Sequence, residues 1–569
     1  MNEKTTYAIK RKPIKLLYSA AIVIVVLGII SLLYTSRFWI NDDTLMCALV
    51  SGAYNGDYNS EIVFVLQPLG WIWSRLYSFN NNIPWYGLTH LACVAISLYV
   101  LLIILLKNVK SKKQILLYTI LFVLYVGSVF TYTINFPQFT TTAGFMAAGM
   151  VALTLNIDFR NVLNRQVGNY ILLVLFGIVT CTMRKNIYLM IIPVLLLVVF
   201  VKLIFAGFSK KKILKAVIMS GAFVFLYLGV NFYNDFIQSP AMQNFKEYNS
   251  VRSKIADYNF IEDYKASEEF YETLDMSEAE FLLLKEGYYN IIDDKLSQDR
   301  VQQVVDNATE EKININLENI TLLEEVYFSD ELWNRTCVVL VLFFLSVIFM
   351  VANKQYEGLL IAAGIFLGML LESFILAVTG RFVDRIAISM LIIDVYVIMI
   401  CLSQQTRQIN LKLLARILSI IGVLSCMVTV PILHESIQNR EEILSKSTDI
   451  REELYDYAKN NTEYFYYYEA IDSNMLILST SLTYNKASDF WNIERAGGWL
   501  QGSPAYKKKI QNFGFDSFLD GVEKGKIRLI SLEYPTKIYS YLQNIYDSCY
   551  IEKVDYISSG YTVYDVKLE

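Results

Sequence analysis

Histidine is the scarcest chemistry-bearing residue here: His90 and His434 are the only two in 569 residues. A histidine-built metal centre is nearly excluded. Cysteine offers no better framework. Cys47, Cys93, Cys181, Cys337, Cys401, Cys426 and Cys549 are scattered, most inside apolar runs, and none forms a CxxC pair. Neither a zinc motif nor a disulfide scaffold follows. Charge is thin, at 18% of residues, with a formal net charge of −4. Without net basicity there is no electrostatic footprint for nucleic acid, and no nucleic-acid partner is expected. The sequence has no internal repeat and no low-complexity tract, which sets aside solenoids and biased linkers.

What is present is apolar. Hydrophobic residues make up 54% of the chain, above the roughly 45–50% of soluble domains, and mean hydropathy is +0.38. The excess is concentrated in runs such as Leu16–Leu33 and Ile187–Phe205. A bilayer core takes about 20 apolar residues per helix, so the expected fold is an α-helical polytopic membrane protein. Spans are expected at 20–34, 87–107, 113–134, 139–156, 168–183, 187–207, 213–233, 336–353, 357–378, 384–402 and 413–433, eleven in all. The 40 Tyr and 33 Phe residues suit a protein with two membrane–water interfaces to line.

Lysine and arginine set the expected orientation. Lys10, Arg11, Lys12 and Lys15 precede the first run, and no small-residue cleavage site follows it. An uncleaved first span with a cytoplasmic N-terminus is expected. Counting on from there, Lys107–Lys113, Arg160 and Arg165, Lys210–Lys215, Lys354 and Arg407–Arg416 all fall on the cytoplasmic side, as the positive-inside rule asks. The apolar segment 62–79 carries Gln67, Pro68, Gly70 and Arg75 and reads as an interfacial or re-entrant helix.

Two polar regions then lie outside. Residues 234–333 hold 23 Asp/Glu against 8 Lys/Arg, an acidic balance the positive-inside rule does not oppose there. They read as helical, with Ser277-Glu-Ala-Glu280 as a capping box opening a helix over 281–292. The tail 434–569 reads as a small α/β domain. It has a helix near 435–459, strands near 463–468, 474–480 and 527–532, a helix near 534–545, and closing strands at 550–556 and 561–566. The units are thus 1–233, 234–335, 336–433 and an extracytoplasmic 434–569.

Four groups of residues could carry chemistry. Asn41-Asp42-Asp43 directly follows the first span. Carboxylates beside a bilayer are costly unless solvated, hydrogen-bonded or bound to a cation. Such a group can take a proton from a hydroxyl or orient a divalent cation, although a solvated helix end needs the same residues. Arg75, Arg184, Lys185, Arg381 and Arg385 place positive charge outside, against the inside bias. Guanidinium forks match phosphate oxygens, so a phosphate at the outer interface accounts for them. Snorkelling to lipid headgroups, or pairing with Asp384 or Glu372, accounts for them equally. The turn Thr131–Thr142 offers uncharged polar groups, Asn135 and Gln138 among them, for sugar hydroxyls or for a plain hairpin. Trp491 and Trp499, with Gly497, Gly498 and Gly502, supply ring faces for a sugar or the core and loops of an ordinary domain. His90 and His434 lie near outer span ends and read as interfacial histidines.

Asn41-Asp42-Asp43, taken with Ser51-Gly52-Ala-Tyr54-Asn-Gly56 and Pro84-Trp85-Tyr86-Gly87, resembles GT-C superfamily polytopic membrane glycosyltransferases, in particular an uncharacterised Gram-positive branch. The likeness runs over the whole architecture, and its specific part covers residues 38–90. The resemblance implies transfer of a sugar from a polyprenyl-phosphate carrier to a cell-surface glycan or lipid-linked acceptor, commonly with inversion, at the outer face of the cell membrane. It implies that the loop 38–86 is catalytic and that Asp42 or Asp43 is the base. Basic residues would hold the carrier phosphate, for which Arg184, Lys185, Arg381, Arg385 and Arg75 are candidates by position. Asn41, Tyr54, Asn135, Gln138, Trp491 and Trp499 are candidates for acceptor or sugar contacts, and membrane lipids are partners throughout. No cofactor is certain. Metal-dependent relatives carry a second acidic motif in a later outer loop; the 134–140 turn has none, which argues against a divalent cation. The tryptophan-rich oligosaccharyltransferase signature is not matched by Trp491–Trp499, so transfer to a protein asparagine is not expected. Two other classes stay open. A polysaccharide polymerase or ligase needs the arginines but not Asp42 and Asp43. A non-enzymatic flippase or transporter of lipid-linked sugars uses ionisable groups within spans, of which Glu372 and Asp394 are the main ones.

Overall fold

The computed structural model describes residues 3–107, 109, 111–160, 166–309, 317–330, 332–403, 411–469 and 492–569. Helix predominates, with a small sheet near the C-terminus. Among the described residues, eight helices are long and apolar enough to cross a membrane: Pro13–Leu33, Trp85–Leu106, Lys112–Asn135, Lys185–Ala206, Lys210–Ile237, Trp333–Ala352, Tyr356–Val378 and Asp384–Ser403.

The other three expected spans are helical but differ in kind. Val167–Met183 is apolar and only 17 residues long. Phe139–Asn156 opens Phe-Thr-Thr-Thr and is buried from Phe139 to Leu155, so protein surrounds it, as it does Asp384–Ser403 from Ala387 to Leu402. The stretch 413–433 lies inside one continuous 50-residue helix, Leu411–Asn460. The break expected after 433 does not occur, although Pro431 sits within the helix. An interior proline costs about 3 kcal/mol. Burial of Leu433, Ile437, Leu444, Leu454 and Ala458 covers one helical face and offsets that cost. At 1.5 Å per residue this helix is about 75 Å long, more than twice a hydrocarbon core of ~30 Å. It links the bundle to the C-terminal sheet.

Phe139–Asn156 is the hub of the bundle. It packs against Asp384–Ser403, Val167–Met183, Trp85–Leu106 and Lys185–Ala206. The first contact depends on glycine, because a Cβ at Gly144 would come within 2.6 Å of the Ser389 hydroxyl oxygen. Small residues allow this approach, and close packing is the main attraction between helices in lipid.

The chain leaving the first apolar helix is fastened to the same hub. Arg37 N–H donates to Asn135 O at 3.2 Å and Trp39 N–H to Pro137 O at 3.3 Å. This seats the helix Asn41–Ser51 beside the N-terminus of Phe139–Asn156. The segment 62–79 forms the helix Gln67–Phe79. Its Trp71, Ile72 and Phe79 are exposed while Trp73 and Tyr77 are buried, so large apolar residues lie on both its buried and its open face.

The sheet contains β1 (Phe465–Tyr468), β2 (Ile493–Arg495), β3 (Ile527–Ser531), β4 (Cys549–Tyr556) and β5 (Thr562–Leu568). Its order is β2-β1-β3-β5-β4. β1 runs parallel to β2 and β3, and β5 is antiparallel to β3 and β4. The expected strand at 474–480 lies outside the described residues. All of β1, Phe-Tyr-Tyr-Tyr, is buried, as a central strand covered on both faces requires. Tyr466 and Tyr468 join the core of the helical bundle. Phe465 and Tyr467 point the other way, into a second core that includes Phe245, Tyr248, Leu283 and Ile291. The two polar regions, read as separate units from the sequence, therefore share one hydrophobic core.

Local signals within these regions are partly realised. Ser277 Oγ accepts the Glu280 N–H at 3.2 Å, but the Glu280 carboxylate turns to Arg300. The helix ends at Lys285, short of the expected 292. Gly497 packs so closely that a Cβ there would run into the Gly287 carbonyl oxygen. Gly497→Ala is expected to lower stability by ~1–3 kcal/mol through overpacking. The midpoint of thermal unfolding checks this, and an unchanged midpoint would count against the close contact.

Candidate functional site

Asp42 and Asp43 lie in the first turn of Asn41–Ser51, where the helix dipole favours negative charge by ~0.3–1 kcal/mol. Their surroundings diverge from there. Asp43 is fully buried. Its Oδ1 accepts the Tyr86 hydroxyl at 2.8 Å and the Phe139 backbone N–H at 3.1 Å, the latter one of the donors a helix leaves free at its N-terminus. His90 Nε2 stands 3.7 Å from the same oxygen, and His90 Nδ1 lies 2.7 Å from Thr142 Oγ1. Among the described residues, Asp43 Oδ2 has no hydrogen-bond partner. Desolvation pushes the Asp43 carboxyl well above the ordinary range, against the pull of its hydrogen bonds. His90, read as interfacial, is fully buried in this group.

Asp42 keeps partial exposure and has charged company. Burial raises its carboxyl above the ordinary range; Arg385, then Arg184, then the Trp499 indole N–H pull it back, and Asp257 pushes it up. The indole falls short of a well-aligned hydrogen bond. Arg184 in turn feels Arg385, Asp42, Arg381 and Asp257. Residues far apart in the sequence, at 42, 184, 257 and 381–385, thus converge on one electrostatic group.

Each cation in this group is held differently. Arg184 sits at the junction of Val167–Met183 and Lys185–Ala206. Its guanidinium lies 5.1 Å from the Phe139 ring centre and 5.9 Å from that of Phe64. Those rings stack at 5.7 Å, and Trp499 packs on Phe64 at 4.8 Å. Arg381 is ion-paired to Asp257 and lies 5.4 Å over Tyr258. Among the described residues, neither the Arg184 nor the Arg385 guanidinium has a hydrogen-bond or ion-pair partner. Desolvation, then Arg385, bring Arg184 down to about 10, so it stays cationic at neutral pH. Two cations without hydrogen-bond or ion-pair partners beside one carboxylate suit an anion bound next to a proton acceptor.

Other expected residues fall elsewhere. Lys185 is exposed and neighbours Lys246. Arg75 is exposed on the Gln67–Phe79 helix, 5.7 Å over Trp71. Tyr54 donates to Glu494 Oε2 at 2.8 Å, and Lys509 meets the same oxygen at 2.9 Å. That contact clasps the first loop to the C-terminal domain. Asn135 is buried between Ser36 at 3.4 Å and Glu441 at 3.5 Å. Gln138 caps Phe139–Asn156, its Oε1 accepting the Thr140 N–H at 2.6 Å. Asn135 and Gln138 are therefore fastened within the protein. Asn41 remains partly exposed beside Asp42. Trp491 lies outside the described residues, whereas Trp499 stands in the group.

The sequence has no local pattern that singles out Phe64, Arg252 or Asp257. Arg252 is buried and donates to Gly498 O at 2.7 Å and Trp499 O at 2.9 Å, which fixes the Trp499 loop. Among the described residues, no group of three or more His, Cys, Asp and Glu side chains is placed to hold a metal ion. No protein-family model and no curated protein sequence matches the chain.

Proposed function

We propose that this protein is a GT-C-like membrane glycosyltransferase. It transfers a sugar from a polyprenyl-phosphate carrier to a cell-surface glycan or lipid-linked acceptor at the outer membrane face. In this reading about eleven helices cross the membrane, the N-terminus is cytoplasmic and the C-terminal domain is outside. The supporting observation is that Asp42 shares its surroundings with the free guanidinium groups of Arg184 and Arg385.

The residues then divide the chemistry. The acceptor hydroxyl gives its proton to Asp42, and its oxygen bonds to the anomeric carbon. The bond from that carbon to the carrier phosphate oxygen breaks, and the phosphate leaves with the electron pair. Positive charge at the anomeric carbon passes through an oxocarbenium-like state. Arg184 and Arg385 stabilise the negative charge gathering on the phosphate. Attack opposite the leaving group inverts the centre. Asp43 does not reach substrate; it is a positioning residue that pins the helix start to Tyr86 and Phe139.

Transfer from a panel of polyprenyl-phosphate sugars by the purified protein in vesicles tests this division. Asp43→Asn keeps an oxygen for Tyr86 and Phe139 and is expected to retain transfer within about tenfold, the low end of an acid–base contribution being 10²-fold, with an unmoved pH profile. Asp43→Ala leaves two buried donors unanswered and is expected to lower stability by ~1–3 kcal/mol. If Asp43→Asn abolishes transfer while the thermal midpoint holds, Asp43 is itself the base.

The pH dependence has a defined sign. The base works only when ionised, so activity rises with pH as Asp42 loses its proton. Burial raises that carboxyl, placing the acid limb above the ~3.9 of an exposed aspartate. Arg385→Gln removes the charge that lowers Asp42 most, so the limb moves to higher pH. A limb moving down in the residual activity contradicts the assignment.

One observation favours a second reading, a flippase or transporter of lipid-linked sugars. Asp394 is buried midway along Asp384–Ser403 and has no hydrogen-bond partner among the described residues. Glu372 Oε2 is likewise without one. Ion-coupled flux in vesicles, abolished in Asp394→Asn, would establish it. A polymerase or ligase is separated by the arginine variants losing activity while Asp42→Asn keeps it.

A further inference from the structure

A half-open cavity of about 610 Å³ lies between the helix Pro240–Tyr258, the segment 293–298 and the stretch 501–517. Its volume falls within the roughly 300–1,000 Å³ of ligand sites, and the chemistry derived above leaves it unused. We propose that this cavity is a saccharide subsite that takes an uncharged or amino-bearing stretch of the acceptor glycan. The proposal rests on the transferase reading and adds a substrate class to it.

The lining carries the directional polar groups a polyhydroxylated ligand needs. Asn244, Gln298 and Lys507 face it, and among the described residues their side chains have no hydrogen-bond partner. An amide offers both donors and an acceptor, which matches hydroxyls that do both. The Tyr248 ring adds an apolar face.

The deeper wall is already organised. Asp293 Oδ1 accepts the Phe518 N–H at 3.0 Å and Oδ2 the Tyr506 hydroxyl at 3.4 Å. Tyr506 in turn lies 2.8 Å from the Tyr467 hydroxyl. A preformed wall spares a ligand the cost of ordering it. The charge of the lining selects among glycans. Asp294 and Asp516 stand against Lys507, with Asp293 raised by burial to about 7, a balance that disfavours phosphate- or uronate-bearing polymers and favours ammonium groups.

A single loop connects the cavity to the reacting group. Gln501 in the cavity wall accepts from the Tyr248 hydroxyl at 2.6 Å, and Trp499, two residues earlier, lies beside Asp42. Two residues span at most ~7 Å. Arg252, one turn beyond Tyr248, holds the Gly498 and Trp499 carbonyls. The Trp499–Gln501 loop thus joins the cavity wall to the surroundings of Asp42, and along it a chain ending at Asp42 would lay a distal unit in the cavity.

The test uses full-length protein in nanodiscs and measures Kd by saturation-transfer NMR. The probes are N-acetylglucosamine, its tetramer, a glucosamine tetramer and tetragalacturonate. Both neutral and amino-bearing tetramers are expected to bind, with tetragalacturonate at least tenfold weaker and the monosaccharide weaker than its tetramer. The double variant Asn244→Ala/Gln298→Ala, at two exposed positions, is expected to weaken tetramer binding tenfold or more. Equal binding by the double variant, or tetragalacturonate binding as tightly as the neutral tetramer, overturns the proposal. Asp42→Asn separates the two claims. It is expected to bind tetramer like the parent while losing transfer. If it transfers at the parental rate the transferase reading fails, whereas the subsite is judged by the double variant and by the weaker binding of tetragalacturonate.

Discussion

Asp42→Asn is expected to reduce sugar transfer by a factor of about 10²–10⁴, the usual contribution of a positioned general base, while the protein still inserts and folds. The size follows from the chemistry. A hydroxyl is a weak nucleophile, and the amide accepts no proton at neutral pH. The modest structural effect follows from the place. Asp42 is partly exposed in the first turn of Asn41–Ser51, so losing its charge removes ~0.3–1 kcal/mol of dipole interaction. Transfer rate and thermal midpoint measured on one preparation separate these effects. A variant that unfolds with its activity says nothing of a base, and one that transfers normally removes Asp42 from the chemistry.

The second large effect belongs to the guanidinium pair. Arg184→Gln and Arg385→Gln are each expected to cost about 10²–10³ in kcat, as removal of a donor aimed at developing negative charge does. The double variant is expected to fall short of the product of the two, because in the proposed reaction both groups act on one phosphate. Arg184→Lys keeps a charge but loses the planar fork and its hold on the Phe139 and Phe64 rings, so it recovers only part of the loss. Arg75→Gln and Lys185→Gln serve as controls. Both are outside charges on the sequence, but Arg75 lies over Trp71 and Lys185 beside Lys246. Each is expected to stay within about threefold of the parental rate, the ±0.5 kcal/mol or so of ordinary surface changes. Equal losses at Arg75 and Arg184 would mean that outside charge matters only in bulk.

Residue type and order alone mark much of this site. An acidic pair after the first apolar run, and arginines against the orientation rule, each stand out because a bilayer makes misplaced charge costly. The two aspartates cannot be told apart in the sequence, because what separates them is remote. Tyr86 and the Phe139 N–H seal Asp43, while Arg184 and Arg385 face Asp42. Arg381 and Arg385 look equivalent in Gly380-Arg-Phe-Val-Asp-Arg385 until Asp257, from more than a hundred residues earlier, ion-pairs with Arg381 and leaves Arg385 open. Tyr54, Asn135 and Gln138 have the chemistry of sugar ligands, yet Glu494, Glu441 and the Thr140 N–H occupy them. Helix positions are legible from apolar runs. Leu411–Asn460 is the exception: it runs through Pro431 because its buried apolar face continues beyond it. The common core of 242–305 and 465–566 leaves no trace in the sequence, since no periodicity reports which buried faces meet.

Affinity for the unglycosylated carrier tests the placement of Asp42 most directly. Binding of polyprenyl phosphate to the parent, to Asp42→Asn and to Arg385→Gln in nanodiscs separates proximity from chemistry, because no reaction occurs. If Asp42 stands beside the phosphate-holding guanidinium groups, Asp42→Asn removes a repelling charge and binds polyprenyl phosphate more tightly, while Arg385→Gln binds it more weakly. If Asp42→Asn leaves that affinity unchanged while Arg385→Gln abolishes it, acid and cations do not share a site.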